Sequence, residues 1–191
     1  MKLPIYKLTI NEGENDATMV DYVALVDEPA IERDFIAFEN KIRFKKDEER
    51  RIISGPLMIA DTPIYRRDEK RGEYYVLFEP KEIEKIVYKF FKNGFTSNVN
   101  LMHETPVDGV FMFESFIIDH SRGIRAPEGF EDLTNGSWYG SYKVNNDDVW
   151  NKAIKTGVFR GFSVEGVFNY EYEEMKKQTI LDDIIKIVES A

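Results

Sequence analysis

Residues 107–119 read Val-Asp-Gly-Val-Phe-Met-Phe-Glu-Ser-Phe-Ile-Ile-Asp. Aromatic and β-branched side chains suit a strand, and the run is too short to cross a membrane as a helix. A strand that is apolar on both faces has to be covered on both. The chain must therefore fold as a sheet or barrel with further elements packed over it.

The rest of the sequence supplies those elements. Residues 3–10 alternate weakly as a first strand, and 20–26, 74–78, 99–103, 137–144 and 158–170 read as further strands. Residues 52–60 form another, broken by Gly55-Pro56, which calls for a bulge or a sheet edge. After Pro80, the residues Ile83, Ile86, Val87, Phe90 and Phe91 repeat at helical spacing up to Asn93-Gly94. That is one apolar stripe with a proline at its start and a glycine at its end. A second helix is predicted over 147–156, capped by Asn145 or Asn146 and stopped by Gly157. Residues 39–51 are densely charged and read as a mobile connection, and 172–190 read as an amphipathic helix. Strands do not alternate regularly with helices, and no glycine-rich phosphate loop follows a strand. The expected fold is α+β: a barrel-like domain over residues 1–170, then a helix or tail over 171–191.

Composition removes several function classes. The formal charge of −9 disfavours phosphate-backbone binding, and the basic run 41–46 is followed at once by Asp47-Glu48-Glu49. Nucleic acid is not an expected partner. Met1–Lys7 has no signal-peptide core and no apolar run approaches a membrane span, so a soluble, non-secreted protein is expected. Without cysteine there is no disulfide, thiolate metal site or cysteine nucleophile, which fits a reducing cytoplasm.

The chain has two histidines, His103 and His120. His103 closes an apolar strand before Glu104-Thr105-Pro106 and can face a cleft; its bland reading is a loop histidine. His120 opens a long loop, and there the bland reading is stronger. Ser163 lies between Gly161 and Gly166, and glycines in a strand mark a bulge or the close approach of another backbone. A substrate peptide would need such an approach. Taken alone, Ser163 reads as a chance strand serine. As a nucleophile it needs a base, and His103 is the better candidate. A third group should orient that histidine. Glu114 shares its strand face with apolar residues and so needs a partner, either His103 or a basic side chain. Glu165 and Asp119 are the alternatives. A metal held by His103, His120 and nearby carboxylates lacks the spacing of a known ligand motif. No cofactor or metal is expected.

Several stretches resemble the phage prohead serine proteases, and most closely their XkdF-like subgroup. They are Asn100-Leu101-Met102-His103-Glu104, Glu114-Ser115-Phe116-Ile117 and Gly161-Phe162-Ser163-Val164-Glu165-Gly166, with Val20–Ala30 and Ile53–Met58 in support. The resemblance covers roughly residues 18–170. It implies an assemblin-like β-barrel surrounded by helices. It also implies a serine endopeptidase that cleaves scaffold and major capsid protein inside the procapsid, in the bacterial host cytoplasm, during head maturation. The family's histidine maps onto His103 and its serine onto Ser163. Herpesvirus assemblins add a later histidine, and none follows Ser163 here, so an acidic residue must serve or the site is a dyad. Glu114 is the expected third member and Glu165 the alternative. A carboxylate at 165 would oppose the charge of a tetrahedral intermediate unless it is itself the histidine's partner. The assemblin analogy is compatible with a homodimer. Two other readings stay open: a non-catalytic scaffold- or capsid-binding protein that retains the protease fold, and a metal-dependent hydrolase.

Overall fold

The computed structural model describes residues 3–13, 16–27 and 43–173. In chain order the strands are β1 (Ile5–Thr9), β2 (Met19–Val26), β3 (Lys45–Asp47), β4 (Ile52–Met58), β5 (Ile64–Asp68) and β6 (Gly72–Leu77). Helix α1 (Pro80–Lys92) follows, then β7 (Val99–Leu101), β8 (Thr105–Pro106), β9 (Val110–Ile117) and β10 (Trp138–Val144). A single α turn, α2 (Asp147–Val149), runs into a π turn (Trp150–Ile154) before β11 (Gly161–Val167) and β12 (Asn169–Glu173). The fold is α+β and mostly sheet. The helix expected over 172–190 lies almost wholly outside the described residues; residues 169–173 pair with β1 as strand.

The strands form three four-stranded sheets: β12-β1-β6-β5, β3-β4-β10-β9 and β11-β2-β7-β8. All three contribute to one apolar core, including Leu8 and Val76, Ile53 and Trp138, and Val23 and Phe162. The barrel expected from the resemblance does not appear as a closed ladder among the described residues. The strand expected over 158–170 breaks at Phe168, so β11 pairs with β2 in one sheet and β12 with β1 in another. β4 lies beside β11 without a ladder to it. Pro56 on β4 has no N–H to donate, and the ladder to β10 shifts register beside it. Residues 45–47 of the presumed mobile stretch are a strand, paired to Ile52–Ser54.

Helix α1 forms where its stripe demanded. Ile83, Ile86 and Phe90 are fully buried, each contributing roughly 1.5–3 kcal/mol. Phe91, at the margin of the stripe, stays 42% exposed. The helix also holds the 11–18 loop by polar contacts that no apolar pattern shows. Lys89 is buried, and its Nζ donates to the carbonyls of Asn11 (3.0 Å), Gly13 (3.3 Å), Asp16 (3.1 Å) and Thr18 (2.9 Å). Two turns earlier, the buried Glu82 accepts from the Ile10 N–H at 2.6 Å. Lys89→Met would keep the stem and strand those carbonyls. It is expected to lower stability by about 3 kcal/mol. In thermal unfolding the midpoint should then fall by roughly 6–12 °C.

Candidate active site

His103 is placed by a tight turn between β7 and β8. Glu104 N–H donates to the Leu101 carbonyl at 3.0 Å, and both central residues have positive φ, 55° at Met102 and 63° at His103. Those are the marks of a type I′ turn, which ordinarily recruits Asn-Gly. Non-glycine residues there are strained by about 1–2 kcal/mol each, and such strain concentrates at functional sites. The turn is tied to the neighbouring strand by Met102 N–H donating to Leu25 O at 3.0 Å. Met102 is 38% exposed, so Met102→Gly removes strain at little loss of packing. That variant is expected to be about 1 kcal/mol more stable in denaturant unfolding.

Ser163 comes from β11. It sits opposite Ala24 on β2, and Ala24 sits opposite Asn100 on β7, so the three stand in one row across the sheet. Glu165, two residues along, shares the face of Ser163. The small Ala24 leaves room for longer side chains to meet above it. Glu165 Oε2 accepts from Asn100 Nδ2 at 2.7 Å and stands 3.3 Å from His103 Nδ1. Ser163, Glu165 and His103 line one cleft of about 250 Å³. Its apolar walls include Leu57 near the end of β4 and Ile59 just after it, together with Ile64, Phe78 and Phe168, and Arg66 and Tyr170 also border it. Among the described residues Ser163 makes no hydrogen bond to His103; in unliganded enzymes that contact is often open. Asp21 adds a second carboxyl near this face, and burial first, then the charge of Glu165, raises its pKa.

Glu114 has a different environment from the one expected. The β9–β10 register passes from Ser141↔Glu114 to Tyr142↔Met112, leaving Phe113 as an extra residue. The bulge breaks the two-residue alternation, so Phe113 and Glu114 are both exposed while Met112 is buried. Glu114 Oε2 accepts from Ser141 Oγ at 2.6 Å, and Ser54 Oγ donates to Ser141 Oγ at 2.9 Å. The geometry thus pairs His103 with Glu165 and not with Glu114. The effect of Glu114's charge is felt elsewhere: burial first, and then that charge, pushes Tyr139 up to about 12.

Gly166 marks a bulge and the close approach of another backbone, as glycine in that strand suggested. A Cβ there would collide with the Met19 carbonyl oxygen, at the register shift between Glu165 and Gly166. The backbone that approaches it is this chain's own β2. His120 is exposed in a short 3-10 turn, with its N–H on Asn135 Oδ1 at 2.9 Å. Asp119 caps that turn by accepting from the Ser121 and Arg122 N–H groups. Among the described residues, no three His, Asp or Glu side chains cluster so as to hold a metal ion. No helix there is long and apolar enough to cross a membrane. Asn100 escaped the sequence reading; its signal was a polar residue inside the apolar run Val99–Leu101.

A hydroxyl on an edge strand, a histidine on a strained turn and a carboxylate against that histidine's Nδ1 are the components of a serine hydrolase site. The family model described as putative phage serine protease XkdF matches residues 39–171, and the chain belongs to that family. No curated protein and no solved structure matches the chain significantly.

Proposed function

We propose that this chain is the serine endopeptidase of phage head maturation, with Ser163 as nucleophile, His103 as general base and Glu165 as the group that orients it. The observation that carries the reading is the contact of Glu165 Oε2 with His103 Nδ1 in the cleft that also holds Ser163. With the Nδ1 proton engaged by the carboxylate, Nε2 is left as the basic nitrogen. In the reaction Ser163 Oγ attacks the scissile carbonyl carbon and its proton passes to Nε2. The same proton is then delivered to the leaving amine. Water hydrolyses the acyl-enzyme by the reverse path. Glu165 offsets the charge of the imidazolium, and this pairing offsets its own repulsion of the oxyanion.

A peptide substrate suits the fold. The cleft that holds Ser163 has apolar walls from Leu57, Ile59, Ile64, Phe78 and Phe168, which suit the side chains of an extended peptide. This reading takes the phage's scaffold and major capsid protein as substrates, cut inside the procapsid in the host cytoplasm. An assemblin-like arrangement of the three sheets about one core belongs to the same proposal. Co-expression with those two proteins under assembling conditions tests it. Gel mobility and intact mass should reveal new termini on scaffold or capsid protein. If every partner stays intact while shells assemble, a non-catalytic role on the retained fold replaces the enzyme.

A further inference from the structure

We infer that Asn100 is a positioning residue, holding the Glu165 carboxylate in place against His103. The consequence for rate rests on the protease reading; the positioning itself does not. Asn100 is 4% exposed on β7, in the row that carries Ser163. Its Nδ2 donates to Glu165 Oε2 at 2.7 Å, the same oxygen that meets His103 Nδ1. Its Oδ1 is buried with no hydrogen-bond partner among the described residues.

The orphaned oxygen is the informative atom. A buried acceptor without a partner is destabilising, and a native fold that keeps one needs a reason. Turning the amide over would set Oδ1 against the carboxylate oxygen, two acceptors in contact. The amide therefore has one tolerable orientation, and it presents N–H to Glu165. The Glu165 side chain is 41% exposed, so without that tether its carboxylate would have solvent to point into. The bond from Asn100 removes this freedom and leaves Oε2 beside Nδ1. A purely structural asparagine in a strand would satisfy its own oxygen; this one leaves it unpaired while serving a half-exposed carboxylate.

The test is imidazole ¹⁵N NMR on the intact protein, with His120→Gln to separate the two histidines. Wild type should show the Nδ1–H tautomer of His103. Asn100→Leu keeps the volume and removes both the donor and the orphaned acceptor. It is expected to melt no lower than wild type, yet to move His103 toward the Nε2–H tautomer. Cleavage should slow by about 10–100-fold in kcat with KM little changed. In the Glu165→Gln background the same substitution should add nothing further, because the two residues act through one contact. If Asn100→Leu does not fold, Asn100→Ala reads the same tautomer with less steric demand. An unmoved tautomer in the folded variant, or full additivity with Glu165→Gln, overturns the inference. A tautomer shift in a protein that cleaves nothing upholds the positioning and defeats the protease reading alone.

Discussion

Ser163→Ala is expected to stop cleavage of scaffold and capsid protein, with a fall in rate of about 10⁴-fold or more. The substitution removes one oxygen from a side chain that is 8% exposed and stands opposite Ala24. Alanine fits that position, and the oxygen removed has no hydrogen bond to lose among the described residues. The melting temperature should therefore hold. Substrate affinity should hold as well, because the apolar walls of the cleft remain. Loss of turnover with retained fold and binding separates a nucleophile from a structural serine. A scaffold-binding protein without catalysis would show no change at all.

Glu165→Gln is expected to slow cleavage on the order of 10³–10⁴-fold, by presenting the wrong hydrogen-bonding group to the histidine. The amide can donate N–H to Nδ1, which favours the tautomer whose Nε2 already carries a proton and cannot act as base. The effect should sit at the lower end of that range. Glu165 is partly exposed, and removing its charge also relieves repulsion of the oxyanion. Glu114→Gln makes the contrast. Its carboxylate bonds Ser141 on the β9–β10 pair, so its rate should change only a few-fold. Equal losses from the two substitutions would contradict the assignment. Single-turnover rates on one capsid-derived peptide would compare them directly.

The structure brings to one cleft His103 and Ser163, the two residues that the sequence put forward. The chain has two histidines, and the resemblance maps its family's histidine onto His103 and its serine onto Ser163. Helix α1 was legible because a stripe at helical spacing is a property of the local chain alone. The carboxylate that stands beside His103 was not. The bulge at Phe113 arises from the register of β9 on β10, a long-range pairing that the alternation of β9 cannot reveal. It carries Glu114 away from the face of Met112 and toward Ser141. Glu165 was available as the alternative, and its selection needed the row Ser163–Ala24–Asn100, which exists only after three distant segments pair. The same limit applies to the strand that breaks at Phe168. No proline or turn cluster marks the change there, but its two halves serve different sheets. Lys89, a lysine on an amphipathic helix, gave no hint that four carbonyls of the 11–18 loop converge on it.

The central claim is that Ser163 is an activated nucleophile. A fluorophosphonate probe tests it without any choice of substrate, since such probes bond to serine oxygens made reactive by a neighbouring base. Intact mass and peptide mapping of the labelled protein should show a single adduct on Ser163. The adduct should be absent from Ser163→Ala and strongly reduced in His103→Ala. No adduct at Ser163, or equal labelling when His103 is removed, would contradict the account.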